Sequence, residues 1–350
     1  MNSGDGAKGP ALEVVDLVKR FTIGSRVSGA ASGSVVHAVE GVSFELAAGE
    51  MLGLVGESGS GKTTVANCIL RLVEPTAGTI RLHGADITHL SRREMRPHRR
   101  QLHMVFQDPY SSLNPRMTTG QIVAEPLHLH KLARGKAVDA RVAELFDVVG
   151  LRPELRFRYP HELSGGQRQR VGLARSLSVG PNVLVADEPV SALDVSVQAA
   201  ILNLLRDLQA EFGFSCLFIT HDLTTVEYLC DRVAVMYLGK IVETAETAKL
   251  FASPKHPYTQ ALLSAAVTPD PERQRERRRI VLSGEIPSPL DPPSGCAFRT
   301  RCPLAHRSAP RSVEEEPVLR EVSRDHWVAC HLVGPGGEAP DLTTTATVRA

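Results

Sequence analysis

A glycine-rich run, Gly56-Glu57-Ser58-Gly59-Ser60-Gly61-Lys62-Thr63, constrains this 350-residue chain more than any other feature. It fits the P-loop pattern G-x-x-x-x-G-K-[ST]. In that pattern backbone N–H groups wrap phosphates, the lysine adds positive charge and the last hydroxyl serves Mg²⁺. The motif needs a strand before it and a helix after it. Both are legible: Glu50–Val55 is a short apolar run that ends at the loop, and Thr63–Val73 continues with helical spacing. A second glycine-rich run, Leu163-Ser164-Gly165-Gly166-Gln167, lies far downstream.

The rest of the chain alternates strand and helix patterns, as a parallel α/β sheet requires. Leu12–Leu17 and Val35–Leu46 read as strands around a Gly/Ser/Ala-rich stretch, Gly24–Ser34, that reads as a flexible hairpin loop. Thr79–Leu82 and Leu102–Phe106 read as further strands, and the basic run Arg92–Arg100 between them as a solvated helix face. From Thr118 to Gly150, Val138, Val142, Leu145, Phe146 and Val149 recur at helical spacing. Ser164 suits an N-cap for a helix carrying Val171, Ala174 and Leu177 on one face. Asn182–Ala186 is an apolar strand ending in Asp187-Glu188; an amphipathic helix through Phe212 and a strand, Phe214–Thr220, follow. Val233–Tyr237 and Ile241–Glu243 flank a turn at Leu238-Gly239-Lys240. Thr268–Ala350, rich in Pro and Arg, predicts a loosely built appendage.

Composition narrows the partners. Lys plus Arg number 40 against 39 Asp plus Glu, so there is no global basic field and nucleic acid is not an expected partner. No apolar stretch reaches membrane-spanning length, and Met1–Pro10 lacks the pattern of a signal peptide, so the chain is expected to stay in the cytosol. Cys68, Cys216 and Cys230 sit among apolar neighbours and read as small buried hydrophobes. Cys296, Cys302 and Cys330 lie in the tail.

Phosphoryl transfer to water needs neutralised charge, a metal, a positioned water and a sensor of the γ-phosphate. The loop backbone and Lys62 suit the β- and γ-phosphates, Thr63 suits Mg²⁺, and Thr64 reaches the α-phosphate at the helix N-terminus. Asp187, at a strand end, can complete the metal shell, and the adjacent Glu188 is the better general base.

Leu163–Gln167 resembles the signature of the ATP-binding-cassette (ABC) ATPases, and Ser191-Ala192-Leu193-Asp194 is similar to that family's D-loop. The resemblance implies a RecA-like P-loop NTPase core. To it the family adds an N-terminal antiparallel β subdomain, a helical signature subdomain at about 108–180 and, over 268–350, a small irregular C-terminal extension. It also implies roles: His221 contacts the γ-phosphate and attacking water, and Gln107 touches Mg²⁺ and water. Phe21 stacks on adenine, or packs in the core. Ser164, Gly165, Gly166 and Gln167, with Asp194, serve the ATP held by a second subunit in a head-to-tail dimer.

Several stretches look like the F-type ATPase subunit of bacterial oligopeptide/dipeptide permeases: Gln107-Asp108-Pro109-Tyr110-Ser111-Ser112-Leu113-Asn114-Pro115, Arg158–Leu163, Asp187–Ser196 and His256-Pro257-Tyr258-Thr259. The resemblance implies a peripheral subunit on the cytoplasmic face of the membrane, driving peptide uptake through two permease subunits fed by an extracytoplasmic binding protein. Its ATPase partner would be a sibling subunit, or a second copy. Import of nickel, opines or glutathione by the same subfamily is the alternative, as is a non-transport ABC switch. In such extensions four cysteines can hold an iron–sulfur cluster. This chain offers Cys296, Cys302 and Cys330, with the family's third cysteine falling near Ala309, so a [4Fe–4S] cluster, zinc and an empty site stay open.

Overall fold

The computed structural model describes residues 9–24, 34–107, 112–266, 279–340 and 342. Most of the expected Gly24–Ser34 loop, the Asp108–Ser111 part of the permease-like stretch and the 267/268 boundary lie outside these residues. The chain divides into two units: Met1–Glu13, Glu45–Met51 and Ile80–Ile219 form one, and Val14–Phe44, Leu52–Thr79 and Thr220–Ala350 the other.

In the first unit β6 (Leu102–Val105), β7 (Val183–Asp187) and β8 (Ser215–Thr220) are parallel, in the order β6-β7-β8. Every residue of β7 and β8 is buried, which is why they read as unbroken apolar runs. Parallel neighbours need long crossovers, and the chain supplies them as helices. Between β6 and β7 run α2 (Thr119–Leu129), α3 (Lys136–Val148) and α4 (Gly165–Leu177); between β7 and β8 runs α5 (Val195–Phe212). Val138, Val142, Leu145 and Phe146 of α3 are buried, as their spacing predicts. Gly213 stops α5 in the left-handed conformation (φ 67°, ψ 21°) that glycine adopts without a Cβ clash.

Arg92–Arg100 is not the helix face expected. It is a string of turns ending in a 3₁₀ turn, His98–Arg100, entered through Pro97, and only Met95 is pulled into the core. Pro97 has no N–H to continue an α-helix.

In the second unit β3 (Met51–Val55) pairs in parallel with β9 (Arg232–Tyr237), Leu52 opposite Arg232 and Val55 opposite Val235. β9 returns as β10 (Lys240–Glu246) through Leu238-Gly239, whose φ angles of 42° and 78° make the tight hairpin the sequence predicts. This unit also holds most of β1 (Leu12–Ile23) and β2 (Ser34–Leu46), and α1 (Lys62–Ile69), α6 (Leu223–Leu229), α7 (Thr247–Ala252) and α8 (Pro257–Ala265). The strand expected at Thr79–Leu82 is β4 (Ala77–Leu82), antiparallel to the short β5 (Ala85–Asp86). Helix α1 stops at Ile69, short of Val73: Leu70 N–H still donates to Ala66 O (2.9 Å), Arg71 N–H turns to Cys68 O (3.0 Å), and Arg71 takes φ 54°, outside the helical region.

The tail is irregular but not loosely built. Its β11 (Arg320–Ser323) and β12 (His326–Val328) continue the order β9-β10-β12-β11. Beneath them the carboxylate of Glu243, wholly buried in β10, accepts from Lys255 N–H (2.7 Å) and His256 N–H (2.8 Å) and pairs with His326 Nε2 (2.7 Å). A buried carboxylate is tolerable only with such partners. Periodicity could not announce it, since His326 is 83 residues from Glu243.

Candidate nucleotide site

The P-loop leaves β3 at Gly56 and enters α1 at Gly61. Two glycines are obligatory here for space. A Cβ on Gly56 would lie 2.2 Å from the Met236 carbonyl oxygen, and one on Gly61 2.2 Å from that of Ala38. Gly61 also carries φ 102° and stands at the N-cap of α1, with no side chain capping it, a helix start of the kind that receives phosphate. Lys62, buried, lies along the loop: its Nζ donates to the carbonyls of Gly56 (2.8 Å) and Glu57 (2.9 Å) and reaches Ser60 Oγ (3.4 Å). Backbone bonds brace the loop, Ser60 N–H to Glu57 O (3.2 Å) and Gly239 N–H to Ser60 O (2.9 Å). Ser58, Gly59 and Thr63 are exposed, and Thr64 is half-buried. A glycine-rich loop that runs into a helix N-terminus with a lysine ammonium lying along it is a donor set that fits polyphosphate.

In the first unit Asp187 ends β7, buried to 2% exposure, and Glu188 follows with φ 44°. A non-glycine residue at positive φ is held there against a steric cost. Its N–H donates to Ile219 O (2.8 Å) and its Oε2 accepts from Gln107 Nε2 (3.0 Å), so two of the expected catalytic side chains meet.

The signature forms the start of α4. Ser164 is the N-cap, as expected: its Oγ accepts from Gln167 N–H (3.3 Å) while Gln167 Oε1 accepts from Ser164 N–H (3.0 Å). Gln167, expected at the nucleotide, is thus held as a helix cap. Gly166 is required by packing, because a Cβ there would lie 2.6 Å from Val197 Cγ1 of α5. Asp194 occupies the N-cap position of α5, exposed and without a capping hydrogen bond from its side chain.

Phe21 is 36% exposed rather than a core residue, with Lys19 Nζ 4.8 Å from its ring centroid. His221 follows β8 and is exposed. Gln107, Ser164–Gln167, Asp187, Glu188 and Asp194 belong to the first unit; Phe21, Gly56–Thr64 and His221 belong to the second.

Cys296, Cys302 and Cys330 line one small cavity beside His256 and His331. Burial pushes the Cys302 thiol up to about 11 and the Cys330 thiol up to about 12. His331 Nε2 is engaged with Glu315 O (3.0 Å), and His256 Nδ1 accepts Tyr258 N–H (3.1 Å). With Ala309 where a fourth thiol would stand, the donor set does not fit a four-thiolate cluster, and among the described residues no group of His, Cys, Asp and Glu is placed to hold a metal ion. Cys68, Cys216 and Cys230 are buried, as expected.

Sequence reasoning missed two residues. Tyr258 Oη accepts the N–H of Glu57 (3.0 Å), and Arg301 forks onto the Glu57 carboxylate, Nη1 to Oε2 at 2.6 Å and Nη2 to Oε1 at 3.1 Å. They lie 201 and 244 residues from Glu57, beyond any local signal.

The family model described as "ABC transporter" matches residues 39–191, and that of the "Oligopeptide/dipeptide transporter, C-terminal region" matches residues 242–308. The oligopeptide transport ATP-binding protein AppF of Bacillus subtilis (strain 168) is 49% identical over 322 residues, 92% of this chain and 97% of AppF. YkfD of the same organism is 50% identical over 324 residues, 92% of this chain and 95% of its own. Among solved structures, the dimeric post-hydrolysis state of the cassette MJ0796 bound to ADP and Pi matches with TM-score 0.60 at 28% identity, over 67% of this chain and 98% of that one. The cbiO1 protein of Clostridium perfringens, part of an ABC transporter complex, matches with TM-score 0.60 at 28% identity, over 70% of this chain and 91% of its own. Fold and site together are those of an ABC-type ATP-binding cassette. The chain belongs to the oligopeptide/dipeptide family of ABC transporter ATP-binding proteins.

Proposed function

We propose that this chain is the ATP-hydrolysing subunit of an ABC importer that takes up oligopeptides or dipeptides through separate membrane subunits. The observation that carries the chemistry is the Gln107–Glu188 pair at the end of β7, beside Asp187. Glu188 accepts a proton from the attacking water, and Gln107 holds its carboxylate and helps position that water. Lys62 and the N–H groups of Gly56–Thr64 stabilise charge on the β- and γ-phosphates, and His221 donates to the γ-phosphate. Thr63, Gln107 and Asp187 would hold Mg²⁺, which supplies charge neutralisation at the phosphates. Phe21 stacks on adenine.

The partners follow from family membership and from the N-cap geometry of Ser164. Gly165 and Gly166 open the positive end of α4, so this end faces the γ-phosphate held by a second ATPase subunit, with Asp194 nearby. An F-type chain pairs with a sibling subunit; two permease subunits and an extracytoplasmic binding protein complete the assembly. No described helix is long and apolar enough to cross a membrane, which suits a subunit bound at its cytoplasmic face. We assign residues 1–267 to the cassette, with a helical section at about 108–180, and 268–350 to the extension.

The test is labelled-peptide uptake in vesicles carrying the complete transporter. Uptake should require ATP and vanish with Glu188→Gln. ATP hydrolysis with no peptide accumulation would overturn the substrate assignment, and no hydrolysis in the complete transporter would overturn the activity.

A further inference from the structure

Glu57 is an acid inside a loop built to receive polyphosphate, and the structure ties every polar group it has. Its N–H goes to Tyr258 Oη (3.0 Å), its carbonyl accepts from Lys62 Nζ (2.9 Å) and Ser60 N–H (3.2 Å), and its carboxylate takes both arms of Arg301. The Arg301 side chain is only 9% exposed and that of Glu57 27%, so solvent screens the pair less than a surface ion pair.

Behind the pair stands a block of three aromatic rings from three parts of the second unit: Tyr237 at the end of β9, Tyr258 in α8 and Phe298 in the tail. Ring centroids are 4.8 Å apart for Tyr237–Tyr258, 5.2 Å for Tyr237–Phe298 and 5.5 Å for Tyr258–Phe298. All three residues are buried, and the Arg301 guanidinium lies 5.9 Å from the Tyr237 centroid. Such a block cannot move in small steps, so it fixes where Arg301 and the Tyr258 hydroxyl stand.

We propose that Arg301 is a positioning residue of the nucleotide site, acting through Glu57. It cancels the one negative side chain of the P-loop and holds the loop, with Lys62 lying along it, in the shape that admits phosphate. Arg301, a residue of the tail, is then part of the ATP site and not an accessory to it. Without Arg301, the Glu57 carboxylate would face the incoming phosphates unpaired, and binding would weaken by repulsion and by loosening of the loop. The inference rests on the ATPase reading above, because it concerns how that site is shaped.

The experiment is titration of the full chain with MgATP in the presence of a fluorescent ATP analogue, at low and high salt. Arg301→Ala should weaken MgATP binding by about ten- to a hundredfold, more at low salt. In the double variant Arg301→Ala with Glu57→Gln the repelling charge is gone, and affinity should return to within about threefold of the parent. Arg299→Ala, whose guanidinium donates to Ser294, should bind as the parent does. A parent chain that binds no MgATP would overturn the nucleotide reading itself. A parent that binds, with Arg301→Ala binding equally well, overturns the positioning role alone. So does a loss of which Glu57→Gln recovers nothing, because the unpaired Glu57 carboxylate would then not be its cause. Should Arg301→Ala not fold, Arg301→Gln, which removes the charge but keeps a long polar side chain, carries the same comparison: a loss of about tenfold, recovered with Glu57→Gln, is expected, and no loss overturns the proposal.

Discussion

Gln107 Nε2 donates to Glu188 Oε2 at 3.0 Å across 81 residues of sequence. Register explains the meeting. Val105 of β6 stands opposite Ala186 of β7, so two residues farther on each parallel strand carry Gln107 and Glu188 to neighbouring carboxyl ends. Ligands of open α/β sheets collect at such ends.

That contact predicts distinct phenotypes for the two residues. Glu188→Gln keeps an amide in place of the carboxylate and should retain ATP affinity while kcat falls by about a hundredfold or more. Gln107→Ala should lower kcat by a smaller factor with little change in KM. Steady-state ATPase assays with a nucleotide-binding titration check both, and ordinary turnover in Glu188→Gln would sink the base assignment.

Lys62 bridges the Gly56 and Glu57 carbonyls at 2.8 and 2.9 Å, so its removal takes both a phosphate ligand and a brace of the loop. Lys62→Ala should therefore weaken nucleotide binding itself. Ligand at a hundred times Kd stabilises a fold by about 2.7 kcal/mol, so the parent should show a clear MgATP-dependent rise in Tm that the variant lacks. An equal rise in both would remove Lys62 from the site.

At the signature helix the prediction concerns space. With a Cβ at Gly166 placed 2.6 Å from Val197 Cγ1, Gly166→Ala should cost about 1–3 kcal/mol of stability unless α5 shifts. Pairing it with Val197→Ala removes the clashing methyl, and denaturant midpoints should show part of the loss recovered. A loss in the single variant that Val197→Ala does not relieve would place its cause elsewhere.

The buried histidines set a pH limit. Burial lowers His256 from 6.5 to about 4, with the Glu243 carboxylate opposing, and burial lowers His103 likewise to about 4, helped by His130 and Arg175. The unfolded chain therefore takes up protons that the folded chain refuses. Stability should be full above pH 6.5 and fall between pH 6.5 and 4, by about 1.4 kcal/mol per pH unit for each histidine. His256→Asn keeps an acceptor for Tyr258 N–H but removes one titration, so its unfolding free energy should decline less steeply over that window. Identical slopes would show that His256 takes no part.

Much of this was legible in sequence because it is local. The P-loop, the strand before it, the hairpin at Leu238-Gly239 and the Ser164 cap depend on residues a few positions apart, and periodicity or turn chemistry reports them. At Arg92–Arg100 the charge pattern suits a helix face, but Pro97 interrupts the backbone bonding a helix needs, and turns form instead. Gln167, expected at the nucleotide by its motif, also closes the cap of α4 through the Ser164 backbone, a bond between residues three positions apart.

The sequence by itself determined the class of chemistry. A phosphate-binding loop, a strand ending in Asp187-Glu188 and a capped glycine pair are each written in a handful of consecutive residues. Only the tertiary structure decided how Glu57 is neutralised, and that the tail is tied in by Glu243 with His326 and by Arg301 with Glu57. Those bonds join residues 83 and 244 positions apart. Their strength comes from burial, and burial exists only once the chain has packed.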